Sequence, residues 1–104
     1  MTTCLITHPA CLGHRPPEGH PERPARLQAV LEALDADAFA ALERRAAPEA
    51  SVESLARVHD PDYVREVLEA IPEKGLVQFD GDTLASPGTG EAILRAAGAV
   101  TLGV

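Results

Sequence analysis

Residues 8–27 concentrate side chains that could do chemistry. The stretch contains three His, five Pro, three Arg and two Glu, and it shows no hydrophobic periodicity. Proline fixes its own φ angle and pushes the residue before it toward extended geometry, so the run 15–24 predicts a stiff loop rather than a helix or strand. Long loops rich in ionisable groups are usually functional or disordered. We expect this segment, called the first loop below, to contribute to a site; a rigid structural connector is the alternative.

Five metal-capable side chains lie in or just before the first loop: Cys4, His8, Cys11, His14 and His20. Their spacing, C-x3-H-x2-C-x2-H at its start, does not match the paired C-x2-C and H-x3-5-H pattern of structural zinc modules. We therefore expect loop and core packing rather than a metal site made from this cluster alone. With no disulfide framework around them, the two cysteines are expected to be free thiols in a reducing cytoplasm.

Ionisable side chains cluster at two other places. His59 lies beside Asp60 and Asp62, and such carboxylates favour the charged form of a histidine, which would suit a general base. A hydrogen bond to a turn is the structural alternative, and we favour it because no nucleophile or third partner is nearby. Asp80 and Asp82 lie in a loop ahead of a helix, where paired carboxylates bind a cation or substrate N–H groups, or stabilise a turn. Both interpretations of this pair remain open.

The elements predicted on either side place the first loop between a strand and a helix, where α/β folds keep their sites. Residues 2–7 predict a short buried strand, and apolar residues at helical spacing predict a helix over 26–34. A short helical piece near Phe39 and Leu42 follows, and then a possible short strand that ends at Pro48.

The second half of the chain predicts three helices. Ser51 is a plausible N-cap for residues 52–58, and Asp60 followed by Pro61 is a strong helix-start signal. Residues 72–88 are expected to form a second loop, and the last helix is expected to begin near Thr89 or Gly90. Helices dominate this prediction, and strands are few and short.

Composition limits the possible functions. With 104 residues, 45% hydrophobic and 3% aromatic, the chain can build one domain with a modest core. Its net charge is −7, so it lacks the positive charge that binds the phosphates of nucleic acids, and direct nucleic-acid binding is not expected. The N-terminus has no basic leader and no apolar run has the length of a membrane span, so we expect a cytoplasmic protein that does not bind membranes.

The apolar helix at residues 90–104 has no polar tail and no capping signal, which predicts that the chain is the N-terminal part of a larger protein. A complete small interaction domain, covering this helix face by self-association, is the alternative.

Four motifs occur in order at compatible spacings: GHPERPARL at 19–27, VHDPDYV at 58–64, GDT and SPGT within 81–89, and AAGA at 96–99. Together they resemble the N-terminal region of the histone deacetylase superfamily, especially its bacterial acetoin-utilisation proteins and acetylpolyamine amidohydrolases. The resemblance implies an α/β arginase/deacetylase fold, a parallel sheet wrapped by helices. Residues 1–104 would be the N-terminal portion of a single deacetylase domain, without its catalytic remainder.

The resemblance also implies the chemistry of the whole protein. In the family, one Zn²⁺ held by two Asp and one His polarises an acetamide carbonyl and activates water, paired His act as base and acid, and a Tyr or His stabilises the oxyanion. All of these residues follow the AAGA motif, so we expect the Zn²⁺ ligands downstream of Val104 and this chain alone to be inactive. The implied substrates are small molecules or peptides bearing acetylated lysine, polyamine or similar amines; an arginase-like ureohydrolase is the alternative chemistry.

Two residues match positions of the family motifs to which the resemblance assigns a role. Arg26 matches the Arg near the inner channel that serves acetate release, and Asp82 matches the rim Asp that accepts hydrogen bonds from substrate amides. A rim loop is implied at His20, Pro21, Glu22, Arg23 and Pro24. A family subgroup builds a second, structural zinc site with C-x-C, but Ala10 and Leu12 occupy those positions here, so that site is not expected.

Overall fold

The computed structural model describes the whole chain, residues 1–104, as an α/β arrangement of four helices, four short strands and two 3-10 turns. In chain order these are β1 (Cys4–Thr7), a 3-10 turn (Pro9–Gly13), α1 (Pro24–Leu34), a second 3-10 turn (Asp37–Phe39), β2 (Glu43–Ala46), α2 (Val52–Leu55), α3 (Pro61–Glu69), β3 (Val77–Gln78), β4 (Leu84–Ala85) and α4 (Thr89–Gly103).

Strands β1 and β2 form a parallel pair in which Cys4 is opposite Glu43. The Glu43 N–H donates to the Thr3 carbonyl at 3.0 Å, and the Ala47 N–H donates to the Thr7 carbonyl at 2.8 Å. Parallel strands need a long crossover connection, which the first loop and α1 supply. The prediction of a strand, loop, helix and second strand in this order is confirmed.

The predicted helix starts at Ser51 and Asp60 are also confirmed. The Ser51 side chain accepts a hydrogen bond from the Ser54 N–H, and the Asp60 side chain accepts one from the Asp62 N–H. Helix α2 is shorter than the predicted 52–58, since it ends at Leu55. Pro61 disfavours helical geometry at the residue before it, so the chain must leave the helix ahead of Asp60.

Two predicted loops contain more structure than expected. Residues 72–88 include an antiparallel hairpin in which Val77 pairs with Ala85 and Gln78 with Leu84. The prediction of a plain loop was therefore wrong here, because two-residue strands are too short to show an alternating pattern. The first loop also opens with a 3-10 turn at Pro9–Gly13, ahead of the run 15–24 that was predicted to be a loop; residues 15–23 contain no helix or strand, and α1 begins at Pro24.

The core is a thin layer around α4, which packs against the first 3-10 turn and β1. Only seven residues are buried: Ala47, Val64, Ala85, Ser86, Thr89, Ala92 and Gly98. The accessible surface is 7288 Å², whereas a compact monomer of this mass exposes roughly 5,600 Å². The chain thus exposes roughly 1,700 Å² more than its size requires. None of the helices has both the length and the apolar character that crossing a membrane demands.

Candidate functional site

Ser86 and Thr89, both buried, join the first loop to the start of α4. The Ser86 N–H donates to Thr89 Oγ1 at 2.8 Å. Ser86 Oγ accepts from the Arg15 N–H at 2.9 Å and donates to the Gly13 carbonyl at 3.1 Å. One side chain therefore satisfies backbone groups of residues more than 70 positions away in the sequence.

Close backbone contact makes this junction possible. A Cβ atom on Gly88 would lie 2.3 Å from the Gly13 carbonyl oxygen, a distance that real Cβ atoms essentially never show. Glycine at position 88 lets the first loop approach the helix start closely enough for Ser86 to reach it.

His14 extends the junction toward solvent. Its Nδ1 lies 2.8 Å from Thr89 Oγ1, and its Nε2 lies 3.3 Å from Glu22 Oε2. The His14 side chain is 22% exposed, whereas that of Glu22 is 61% exposed. The ring thus links a buried hydroxyl to a carboxylate at the surface.

Cys11, His14 and Glu22 form the wall between two open cavities. The first cavity, of about 500 Å³, is otherwise lined by Arg23, Pro24, Arg26, Leu27 and Val30. The second cavity, of about 440 Å³, is otherwise lined by nine residues from α3, the hairpin and α4: Tyr63, Val67, Phe79, Thr83, Leu84, Thr89, Ala92, Ile93 and Ala96. The first loop therefore borders both cavities, which agrees with the expectation that it contributes to a site.

His20 connects the predicted rim loop to the second loop. Its Nδ1 accepts a hydrogen bond from the Glu22 N–H at 3.1 Å, which leaves Nε2 to donate to the Asp82 carbonyl at 3.1 Å. In the rest of the rim loop, Arg23 and Pro24 line the first cavity and Pro21 is exposed. The structure thus brings the rim loop next to Asp82.

Asp80 and Asp82 do not act as a matched pair. Asp80 Oδ1 accepts hydrogen bonds from the backbone N–H groups of Asp82 and Thr83, both at 2.9 Å. The Asp82 N–H, and after it Thr83, hold the pKa of Asp80 below its usual range. Asp80 therefore stabilises the turn, while the exposed carboxylate of Asp82 makes no hydrogen bond within the chain.

Arg26 is exposed on the first turn of α1, where it takes part in none of the ion pairs of the chain. It faces the first cavity, whereas Thr83, next to Asp82, faces the second. The two residues that carry family roles by motif therefore lie by different cavities, which share the wall formed by Cys11, His14 and Glu22.

His8, His59 and the two cysteines are the remaining candidate residues. His8 caps the first 3-10 turn by accepting from the Ala10 N–H at 3.0 Å. The ring of His59 packs 5.7 Å from that of Tyr63, but its side chain forms no hydrogen bond, either to the neighbouring carboxylates or to a turn, so the predicted bond to a turn is wrong. The thiols of Cys4 and Cys11 are free. No three His, Cys, Asp or Glu side chains converge to hold a metal ion.

The junction formed by Ser86, Thr89 and His14 was not anticipated. The sequence places His14 in the first loop, Ser86 in the second loop and Thr89 at the start of the last helix. A 75-residue separation between His14 and Thr89 leaves no local signal of their contact. The only available indication was the SPGT motif, which places two hydroxyls three residues apart at the start of a helix.

Comparison with known proteins identifies the family. Residues 20–104 match the sequence profile of the histone deacetylase domain. The chain is 27% identical over 95 residues to the uncharacterized protein MJ0535 of Methanocaldococcus jannaschii, covering 88% of this chain and 26% of that protein. It is similar to the crystal structure of the HDA15 HD domain, with a TM-score of 0.79 and 25% identity, over 94% of this chain and 29% of that one.

The fold prediction from the motifs is confirmed by this structural match, since the α/β arrangement corresponds to part of a deacetylase domain. The chain spans between a quarter and a third of the length of the proteins it matches. The predicted superfamily resemblance is likewise confirmed. The chain belongs to the histone deacetylase domain family.

Proposed function

We propose that this chain is the N-terminal portion of a zinc-dependent deacetylase, of the bacterial type and cytoplasmic. The enzyme would remove acetyl groups from N-acetylated lysine, polyamines or similar amines. The observation that carries the proposal is the family match, which extends over residues 20–104. The surface of roughly 1,700 Å² beyond that of a compact monomer further supports a chain that is one portion of a larger domain.

Residues of this chain do not fit a zinc site, because no three potential ligands converge. We therefore assign the Zn²⁺ ligands and the residues that carry out hydrolysis to sequence beyond residue 104. What this portion supplies is binding and product handling, and by itself it would hydrolyse nothing.

Arg26 is proposed to bind the acetate that leaves after hydrolysis. A guanidinium is permanently charged and presents N–H donors in a fork that matches a carboxylate. Arg26 faces a cavity of about 500 Å³. It has no carboxylate partner in the chain. Its donors are therefore available to a small anion.

Asp82 is proposed to accept hydrogen bonds from the amide groups of the substrate. Its backbone is fixed on both sides, because its N–H donates to Asp80 and its carbonyl accepts from His20. Its carboxylate is exposed and unpaired. A carboxylate held in place by its own backbone can bind an N–H group with little loss of conformational freedom.

The test uses the protein translated from the complete open reading frame that contains these residues. Acetate release is measured with an acetyl-lysine peptide and with N-acetylputrescine, for Arg26→Ala, Asp82→Asn and the control Asp37→Asn. Asp37 is an exposed carboxylate that lines none of the cavities described above.

Loss of a charge-assisted hydrogen bond predicts a decrease of about tenfold or more in kcat/KM for Arg26→Ala and Asp82→Asn. The control is expected to retain full activity, and the purified 104-residue chain is expected to release no acetate. Failure of the complete protein to release acetate from either substrate would contradict the deacetylase proposal. Unchanged kinetics in the two variants would contradict only the roles of Arg26 and Asp82.

A further inference from the structure

At the junction of the first loop with α4, the hydroxyl groups of Ser86 and Thr89 have two protons to share among three contacts. Thr89 Oγ1 lies 2.8 Å from His14 Nδ1 and 3.1 Å from Ser86 Oγ, and Ser86 Oγ lies 3.1 Å from the Gly13 carbonyl. Each hydroxyl has one proton to donate. Which contacts are hydrogen bonds at a given moment therefore depends on the protons of the His14 ring.

With a neutral ring, one arrangement suits the neighbours of both nitrogens. Glu22 Oε2 lies 3.3 Å from Nε2 and can only accept, which favours the proton on Nε2 and leaves Nδ1 to accept from the Thr89 hydroxyl. The Ser86 hydroxyl donates to the Gly13 carbonyl. The Thr89 hydroxyl proton is then used, and the 3.1 Å contact between Thr89 and Ser86 has no proton of its own.

With a protonated ring, the same atoms form a longer chain of hydrogen bonds. Nδ1–H now donates to Thr89 Oγ1, the Thr89 hydroxyl turns to donate to Ser86 Oγ, and Ser86 still donates to the Gly13 carbonyl. Thr89 Oγ1 then accepts from His14 and from the Ser86 N–H, which its two lone pairs allow. Every contact in the cluster is then a hydrogen bond.

We propose that His14 fastens the first loop to α4 in both of its protonation states, by reversing the direction of its hydrogen bond with Thr89. The reversal requires only rotation of the Thr89 hydroxyl, because the heavy atoms already lie at hydrogen-bonding distance in both arrangements. The first loop therefore stays attached when the pH crosses the range in which histidine titrates. This inference does not depend on the proposed catalytic function.

The other ionisable groups that face His14 do not compete with Thr89 for a hydrogen bond to its ring. Cys11, Arg23 and Arg26 share the first cavity with it, and Tyr63 faces it from α3 across the second cavity. None of them is hydrogen-bonded to the ring, whereas Glu22 lies 3.3 Å from it. Glu22 is the one carboxylate that faces the ring, so it is the group placed to offset a positive charge on it.

The first test follows the His14 ring of the 104-residue chain by nitrogen-15 NMR at pH 8 and pH 5.5. At pH 8 the expected signature is a proton on Nε2 and an accepting Nδ1. At pH 5.5 a ring that carries protons on both nitrogens is expected to keep its nuclear Overhauser contacts with Thr89. A neutral ring protonated at Nδ1, loss of the Thr89 contacts at pH 5.5, or a random-coil pattern at both pH values would overturn the proposal.

The second test uses Ser86→Ala, because Ser86 accepts the Thr89 hydroxyl only in the protonated state. At both pH values the variant also loses the hydrogen bonds of the Ser86 hydroxyl with the Arg15 N–H and the Gly13 carbonyl. The equilibrium constant of unfolding is therefore expected to rise about fivefold more at pH 5.5 than at pH 8, relative to the unsubstituted chain. An equal rise at the two pH values would contradict the reversal. His59→Gln, which removes a histidine outside the junction, is the control and is expected to show no such difference.

Discussion

Of the glycines in α4, Gly98 lies closest to another segment. A Cβ atom built on Gly98 would lie 1.8 Å from the Pro48 carbonyl oxygen and 3.1 Å from the Ala50 nitrogen. Ordinary van der Waals contact begins at 3.4 Å. The substitution Gly98→Ala therefore requires α4 to move away from the backbone of residues 48–50 by roughly 1.6 Å.

The expected cost follows from what this movement disturbs. Overpacking against a backbone that cannot rotate away costs ~2 kcal/mol. Separation also weakens the hydrogen bonds from the Ala50 N–H to the Leu94 carbonyl and from Arg95 to the Ala47 carbonyl, worth ~1 kcal/mol each. Alanine recovers ~1 kcal/mol through its higher helix propensity. The free energy of unfolding should therefore fall by about 3 kcal/mol.

Urea unfolding of the 104-residue chain, followed by circular dichroism, measures this change. Gly103→Ala is the matched control on the same helix, because its Cβ atom would lie an ordinary 3.6 Å from Ile6 Cδ1. We expect the control to be neutral or slightly stabilising. Ordinary surface substitutions change the free energy of unfolding by less than about 0.5 kcal/mol. If Gly98→Ala changes it by no more than this, the close packing of α4 on residues 48–50 is refuted.

Three further outcomes are expected. Gly88→Ala should lower the free energy of unfolding by ~2 kcal/mol in urea titrations, since its Cβ atom would lie 2.3 Å from the Gly13 carbonyl oxygen; an unchanged midpoint would contradict this contact. The depressed pKa of Asp80 contributes stability that is present above the pKa of the unfolded chain and lost as the pH falls through the folded value. Melting temperatures measured from pH 5 to pH 2.5 should therefore fall less steeply for Asp80→Asn, and parallel curves would exclude this role. Arg95→Lys should cost ~1 kcal/mol, because one ammonium cannot replace the bonds of a guanidinium to Glu91 and the Ala47 carbonyl; a thermal melt identical to that of the parent chain would count against it.

Local signals in the sequence located the elements well. The Asp60-Pro61 pair predicted the start of α3 because a side-chain acceptor and a fixed φ act within three residues. Ser51 predicted the start of α2 through its side-chain acceptor alone, which accepts from the Ser54 N–H. The hairpin at residues 77–85 was missed, since strands of two residues carry no periodic signal.

Contacts between distant segments could not be read from the sequence. The bond between His14 and Thr89 and the fit of Gly98 against Pro48 depend on how α4 is placed, which no local pattern specifies. The roles assigned to Arg26 and Asp82 came from motifs alone and stay predictions. The structure adds that Arg26 lines one cavity and that Thr83, the neighbour of Asp82, lines a second cavity with a common wall.

Sequencing the gene beyond the codon for Val104 tests whether residues 1–104 are the N-terminal portion of a zinc-dependent deacetylase. If they are, an open frame follows that encodes a His-His pair, then a D-x-H segment, and then a further Asp. A stop codon directly after Val104, or a longer frame without these residues, would contradict it.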